Sequence, residues 1–250
     1  MERLIKNEKE NYKVKILTSE DDFLEESTRE ANAYNQDNEN GNFKAYGTAI
    51  SQIPFLVPSE GGTVDNIKLQ LANFGLYANT TINEYEATKP YQEELKNKCA
   101  SYLMDHEYEN GKWLFISGQS MIGKKHLISA IAKEILKNGQ FITVLNYLNM
   151  SSIKNNFIKK SASTIDKYKK ADVLIILNLW HNSVNQMDIS VIEQIIDYRS
   201  IHDKVTLITS DQTNHNTLEK ISIEVYKNIK MKAKGYYLLI PYDPNNRFKI

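Results

Sequence analysis

Cysteine and long apolar runs are both scarce in this 250-residue sequence, and each shortage excludes something. The single cysteine, Cys99, rules out an intrachain disulfide and a zinc site built from cysteines, and its apolar helical neighbourhood predicts a small core residue. No run approaches the roughly 18 apolar residues that a membrane helix needs, and the polar first residues are not typical of a signal peptide. We therefore expect a cytoplasmic protein without membrane contact.

An excess of charge of either sign is also lacking. The 31 basic residues balance the 31 acidic ones, which argues against a uniformly basic surface for nucleic acid but leaves room for local basic patches. Arginine is rare, occurring at only four positions: 3, 29, 199 and 247. The five histidines do not show the spacing of metal ligands, so we predict no metal site.

Composition divides the chain into three parts. Residues 1–46 hold 11 acidic and 7 basic side chains and little apolar surface, which predicts a small acidic N-terminal module that is partly disordered or docks a partner. Residues 47–79 contain two of the five prolines and a glycine pair and are interpreted as a linker with one short strand. Residues 80–250 alternate apolar runs with helical patterns, which predicts an α/β domain of three layers with a mostly parallel, five-stranded sheet.

Local patterns give expected positions for these elements. Apolar, β-branched runs predict strands at residues 113–116, 141–146, 173–179, 205–209 and 235–240. Helical spacing predicts helices at residues 88–106 and 124–138, within the basic segment 147–170, and at 188–202 with Asp188 as the N-cap.

A phosphate-loop pattern carries the main chemical signal. Residues 118–124 read GQSMIGK after an apolar run and fit G-x-x-x-x-G-K, in which Gly118 and Gly123 shape the backbone cradle and Lys124 reaches the phosphates. A magnesium-binding loop continues with Ser or Thr, but here Lys125 follows, and an ammonium cannot ligate a cation. Two interpretations stay open: these four residues bind ATP or ADP without magnesium, or the loop is a structural turn before a helix.

Five ordered segments resemble bacterial replicative-helicase loaders of the DnaC/DnaI type, an AAA+ family related to IstB-type transposition helpers. In chain order these segments are TINEYEATKPYQEEL, WLFISGQSMIGKKHLISAIAKEILKNG, YKKADVLIILNL, VIEQIIDYRS and VTLITSD. The resemblance covers residues from about 70 to 250 and implies an AAA+ domain with a phosphate loop. The first 70 residues do not share it, and they lack the cysteines of the zinc-binding module that one branch of the family carries.

The resemblance also implies catalytic positions, and this chain departs from the family at several of them. The acidic pair that holds magnesium and polarises the attacking water is replaced by Leu177 and Asn178. The polar sensor after the fourth strand, usually Asn, corresponds to Asp211, whose carboxylate is unfavourable near a γ-phosphate. We therefore predict no catalytic residues and negligible ATP hydrolysis.

The family's arginine finger is missing as well. No arginine lies between Arg199 and Arg247, and Lys227 or Lys230, which could occupy the neighbourhood, lack the planar fork of a guanidinium. Such a finger is worth about 10³ to 10⁵ in rate. Arg199 itself lies in a segment that matches the family closely, so we expect a structural ion pair or a subunit contact there.

The basic segment between the second and third strands is a candidate nucleic-acid surface. The resemblance implies that this insertion touches single-stranded DNA, with Lys154, Lys159 and Lys160 neutralising phosphates and Phe157 or Tyr168 stacking on bases. The alternative is an ordinary solvated helix face in a lysine-rich protein.

Two classes of function remain open from the sequence. The first is a hydrolysis-deficient adaptor in DNA replication, whose partners are the replicative DNA helicase or an active helicase loader, together with single-stranded DNA. The second is an active ATP-dependent helicase loader or an IstB-like transposition helper. Loss of catalytic groups is consistent with a mobile-element origin.

Overall fold

The computed structural model describes residues 43–46, 55–58, 64–150, 163–181 and 184–243, in two compact units that divide after Glu60. In the first unit, strands β1 (Phe43–Tyr46) and β2 (Phe55–Pro58) pair in antiparallel fashion, with Phe43 opposite Pro58. The other residues expected to form the acidic N-terminal module lie outside the described residues.

A five-stranded sheet forms the centre of the second unit. Its strands are β3 (Leu114–Ser117), β4 (Ile142–Asn146), β5 (Val173–Leu179), β6 (Thr206–Ser210) and β7 (Tyr237–Leu239). They lie in the order β4-β5-β6-β3-β7, and every neighbouring pair is parallel. Each strand lies within two residues of its predicted position, so the predicted parallel sheet is confirmed.

Helices cover both faces of this sheet. They are α1 (Val64–Asn73), α2 (Pro90–Met104), α3 (Lys124–Lys137), α4 (Ser163–Lys170), α5 (Gln186–Ile201), α6 (His215–Ile221) and α7 (Ile223–Lys232). One apolar cluster joins α1, α2 and α3 to one face, and a second joins α4 to α7 to the other. The three-layer α/β arrangement is therefore confirmed.

The continuous apolar run of β5 has a simple physical cause. Ile175 and Leu177 pack on the side of α3, whereas Leu174 and Ile176 pack on the side of α5. Successive side chains of a strand point to opposite faces, so a strand covered on both faces needs no polar alternation.

Helix α1 lies inside the residues that the sequence led us to interpret as a linker. Ile67 and Leu71, one helical turn apart, are buried in the same apolar cluster as α3. The second compact unit accordingly starts at Gly61, before the expected boundary at residue 80. The prolines and glycine pair that suggested a linker all precede this helix.

The start of α5 corrects one prediction. Its N-cap is Asn185, whose side chain accepts a hydrogen bond from the Asp188 amide at 3.0 Å. Asp188 returns the contact by accepting from the Asn185 amide at 3.2 Å, which completes a capping box. The helix therefore begins three residues earlier than its apolar face suggested.

Arg199 also departs from expectation, because no acidic side chain among the described residues pairs with it and its full burial leaves no surface for a subunit contact. Its side chain is fully buried, and Nη1 donates to the carbonyls of Tyr168, Lys169 and Ala171 at 2.9, 3.1 and 2.7 Å. The other donors reach the carbonyls of residues 172 and 205 and, at 2.9 Å, the hydroxyl of Thr206. A buried guanidinium thus ties the C-terminal end of α4 to α5 and to the start of β6.

Burial lowers the pKa of Arg199 to about 9, with the charge of Asp172 opposing the shift. The group therefore stays protonated at neutral pH. Its carbonyl partners include the last residues of α4, where the helix dipole favours a cation.

Cys99 is fully buried in the cluster around α2, as predicted. None of the described helices is long and apolar enough to cross a bilayer.

Candidate nucleotide site

The loop from Gly118 to Gly123 joins β3 to α3 at the carboxyl edge of the sheet. Gly123 has a left-handed backbone with φ +91°, and a Cβ there would lie 2.2 Å from Cε2 of Tyr85. A Cβ on Gly118, where φ is +154°, would lie 2.7 Å from Cδ1 of Ile122. Both glycines are required by conformation and packing, whether or not a ligand binds.

Tyr85 fixes the loop from outside. Its hydroxyl donates to the carbonyl of Ile122 at 2.7 Å, and its ring meets His126 of α3 edge-on, with 5.6 Å between centroids. The side chain is buried, and burial raises the pKa of its hydroxyl to about 12. The segment before α2 therefore holds the loop in its present shape.

Lys124, the residue expected to reach phosphates, contacts three protein oxygens in this structure. Its Nζ donates to the carbonyls of Gly118 and Gln119 at 2.6 and 2.9 Å and lies 2.8 Å from Oδ1 of Asp211. The side chain is only 8% exposed, and burial lowers the pKa of the ammonium while Asp211 opposes the shift. An ammonium has three donors, and here all three have acceptors.

Asp211 lies immediately after β6, next to the loop. Its second oxygen, Oδ2, accepts from Nδ1 of His181 at 2.6 Å. Burial alone would raise the pKa of Asp211, but its hydrogen bonds and ion pairs with Lys124 and His181 hold it below its usual range. The position expected to correspond to the polar sensor thus carries a carboxylate that contacts the Lys124 ammonium and the His181 ring.

Lys125 is exposed, and its ammonium lies over the ring of Tyr77, 4.7 Å from the centroid. Ser129 links the same two regions, because its hydroxyl donates to the Lys125 carbonyl at 2.7 Å and accepts from the Tyr77 amide at 2.9 Å. The substituted lysine therefore contacts the segment that follows α1, with a cation–π geometry.

The two positions expected to carry acidic residues have a leucine and an asparagine side chain instead, Leu177 and Asn178. Leu177 is 4% exposed and belongs to the same apolar cluster as Ile122 of the loop. Asn178 lies at an irregularity of β5 with φ +58°, and its amide donates to Oδ1 of Asn146 at 3.1 Å. Its backbone amide donates to the hydroxyl of Thr209 at 3.0 Å.

These groups do not fit a magnesium ion. Magnesium prefers carboxylate, hydroxyl and water oxygens in octahedral geometry. The three expected ligand positions are occupied by Lys125, Leu177 and Asn178. Of these side chains, only that of Asn178 contains an oxygen atom that could bind a metal. No cluster of three or more acidic, histidine or cysteine residues suited to a metal occurs among the described residues.

The remaining candidates fall outside this site. Lys154, Phe157, Lys159, Lys160 and Arg247 lie outside the described residues. Tyr168, expected as a stacking partner for DNA bases, is only 5% exposed and packs in the core, so that expectation is wrong. On α7, Lys227 lies 3.9 Å from Glu224, and the Lys230 ammonium lies 5.4 Å from the ring centroid of Tyr226.

The sequence did not single out Tyr85 or His181. Tyr85 lies in a segment that matches the family, but its contact with Gly123 depends on how the chain folds back onto the loop. His181 lies two residues after β5 and Asp211 lies directly after β6, and the carboxyl ends of neighbouring parallel strands meet at one edge of a sheet. Applied to the sequence, that rule would have predicted that His181 and Asp211 lie close together.

Comparison with known proteins supports the resemblance. None of the protein-family models matches the chain. The replicative helicase loader DnaC of Escherichia coli (strain K12) is 24% identical over 135 residues, which cover 52% of this chain and 55% of that protein. The replicative helicase loader DnaC of Buchnera aphidicola subsp. Schizaphis graminum is 25% identical over 178 residues, or 69% of this chain and 72% of that protein. The match thus spans only about half of the length of the Escherichia coli relative.

Solved structures agree on the fold. The crystal structure of the DnaC helicase loader superposes with a TM-score of 0.53 at 19% identity, over 66% of this chain and 97% of that one. The crystal structure of DnaI gives a TM-score of 0.54 at 20% identity, over 68% of this chain and 91% of that one. The expected three-layer α/β fold is therefore shared with these solved structures, and the chain is similar to replicative helicase loaders of the DnaC type.

Proposed function

We propose that this protein is a helicase-loader-like AAA+ adaptor in DNA replication, which binds the replicative DNA helicase or an active helicase loader without hydrolysing ATP. One observation carries the proposal. The ammonium of Lys124 has protein acceptors for all three of its donors, and the positions expected to carry carboxylates hold a buried Leu177 and Asn178.

Loss of hydrolysis follows from what phosphoryl transfer requires. The reaction depends on a metal that neutralises charge, a group that orients the attacking water, and a cation that stabilises the transition state. Lys125 replaces the hydroxyl ligand, Leu177 and Asn178 replace the carboxylates, and no arginine lies between Arg199 and Arg247. One such change could be compensated by a neighbour, but all of them together remove each contribution.

The helicase partner is proposed from the relatives. The similar curated proteins are named replicative helicase loaders, and one of them matches 69% of this chain. We place partner docking in the acidic residues 1–46, because an excess of acidic side chains favours encounter with a basic surface of the partner.

Binding of single-stranded DNA is a separate part of the proposal. Lys154, Lys159 and Lys160 supply positive charge for phosphates, and Phe157 supplies a ring for stacking. We expect alanine at the three lysines to weaken binding of an oligothymidine, measured by fluorescence anisotropy. Alanine at Lys220, Lys227 and Lys234, three exposed lysines that precede β7 in the sequence, is the matched control with the same change of charge.

The DNA contact is refuted if both triple variants lose the same affinity. A loss in the first variant alone, with a shallower dependence on salt, supports it.

The adaptor role is tested by affinity capture of purified replicative helicase from the same organism on the full-length protein. We expect co-elution at a fixed stoichiometry, with and without ATP and magnesium. Phosphate release is measured on the same samples, with Lys124→Ala as the blank. Phosphate release that disappears in the Lys124→Ala variant would instead indicate the alternative, an active loader or an IstB-like helper.

A further inference from the structure

We propose that Asp211 is an internal counter-ion that closes the phosphate loop, taking the place at Lys124 that a nucleotide phosphate takes in an open loop. This deepens the proposed loss of hydrolysis and rests on it. The device is an autoinhibitory contact between the end of β6 and the start of α3.

The geometry at Lys124 makes Asp211 the group that a phosphate must displace. Two donors of the ammonium serve the carbonyls of Gly118 and Gln119, which belong to the loop itself. The third donor faces Oδ1 of Asp211 at 2.8 Å. A phosphate therefore meets no vacant donor on Lys124, and it also meets the negative charge of the carboxylate.

Asp211 is held at both oxygens, so it does not simply turn aside. Oδ2 lies 2.6 Å from Nδ1 of His181, while Oδ1 contacts Lys124. The backbone of His181 is fixed in turn, because its amide donates to the carbonyl of Asn178 at 3.0 Å. Displacing the carboxylate breaks two charge-assisted contacts in a site where the lysine is 8% and the aspartate 20% exposed.

The loop is also held on its other side. Oε1 of Gln119 accepts from the amide of Asp243, and the Asp243 carboxylate lies 3.5 Å from Nζ of Lys89 at the start of α2. The amide of Ile240 donates to the carbonyl of Ser117 at 2.8 Å. The segment after β7 thus fastens the same loop that Asp211 closes.

Replacing Asp211 with Asn tests the device with little change of shape. An amide keeps the size of the side chain and a hydrogen bond to His181, but it removes the charge that neutralises Lys124. We expect Asp211→Asn to bind ADP without magnesium about tenfold or more tighter than the unmodified protein. Binding of a fluorescent ADP analogue to the full-length protein, with EDTA present, measures the change.

Two control variants test whether the gain in ADP affinity depends on the pair of Asp211 and Lys124. Asp203→Asn is the matched variant, because it also removes one carboxylate that pairs with a lysine, Lys232, but on an exposed side chain. We expect it to bind the analogue no better than the unmodified protein. Adding Lys124→Ala to Asp211→Asn should abolish the gain.

A second measurement needs no substitution. Lys124 should be acetylated much more slowly by acetic anhydride than its exposed neighbour Lys125, as read by mass spectrometry of the folded protein. Equal rates at the two lysines would overturn the closed loop even if Asp211→Asn failed to fold.

The proposal is also overturned if the unmodified protein binds the analogue as tightly as Asp211→Asn. Failure of the adaptor role appears differently, as no capture of helicase or as Lys124-dependent phosphate release, so the two ideas fail separately.

Discussion

Strand β6 has a buried cation near each end, and the two are held differently. At its amino end, Arg199 is fully buried and donates to five backbone carbonyls and the hydroxyl of Thr206. At its carboxyl end, Lys124 donates to two carbonyls and to the carboxylate of Asp211.

The difference lies in whether a ligand could replace the acceptors. The partners of Arg199 are mostly backbone atoms that fix α4, α5 and β6 together, so they serve the fold alone. One partner of Lys124 is a side chain at the carboxyl edge of the sheet, the edge at which open α/β sheets bind ligands. We infer that the amino end is structural and that the carboxyl end keeps a binding site in closed form.

The largest loss of stability is expected when Arg199, the structural cation, is replaced. Arg199→Met should lower the free energy of unfolding by about 4 kcal/mol, because it leaves buried carbonyls without donors. Arg199→Lys should cost about half as much, since an ammonium can serve only some of these acceptors. Urea unfolding followed by circular dichroism measures both values. A loss below about 1 kcal/mol in Arg199→Met would refute the structural role.

Gly123→Ala tests whether packing alone preserves the loop. The added Cβ would lie 2.2 Å from Tyr85 in a backbone with positive φ, so we expect a loss of about 3 kcal/mol in unfolding free energy. Gly139→Ala is the matched control, because its φ is +77° but no atom lies within 4 Å of the added Cβ. It should cost only about 1 kcal/mol. Equal losses in the two variants would show that Tyr85 does not constrain the loop.

Much of the fold was predictable because its signals are local. Apolar runs mark β5 and β6, and the glycines of the phosphate loop mark the turn into α3. Such features depend on neighbours in the sequence, and they can be read from one chain. The assignment of Asp211 to the sensor position came from the resemblance to the loader family and stays a prediction.

The remaining features depend on distant contacts. Arg199 reaches carbonyls about 30 residues away, and the bond between His181 and Asp211 joins two different strand ends. Helix α1 is stabilised by packing on α3 rather than by a strong pattern of its own. Sequence reasoning identified Lys124 and Asp211 as candidates, but it did not show that they neutralise each other.

A smaller effect on stability is expected at the closed site. Asp211→Asn should lower the free energy of unfolding at pH 7 by about 1 to 2 kcal/mol, since the pair is only partly desolvated. The folded pKa of Asp211 is depressed, so its stabilisation is present above the unfolded pKa of about 3.9 and is lost as pH falls through the folded value. The difference between the two proteins should therefore shrink below about pH 4. A constant difference from pH 7 to pH 2 would contradict the assigned ion pairs.

The reaction rate of the Cys99 thiol compares the two ends of β6 without any change at Cys99 itself. The thiol is fully buried, and burial raises its pKa to about 12, so we expect no reaction with a disulfide reagent in the folded protein. Arg199→Met should make Cys99 react faster, because unfolding becomes more frequent. Asp211→Asn, which is expected to cost about 1 to 2 kcal/mol rather than about 4, should accelerate the reaction far less, and an equal acceleration in both variants would remove the contrast between the two ends of β6.

Phosphate release by the full-length protein, with magnesium, single-stranded DNA and the replicative helicase present, tests the central claim most directly. The account predicts a rate indistinguishable from that of the Lys124→Ala variant under the same conditions. Turnover that depends on Lys124 would contradict it, because that lysine would then be serving a nucleotide rather than Asp211.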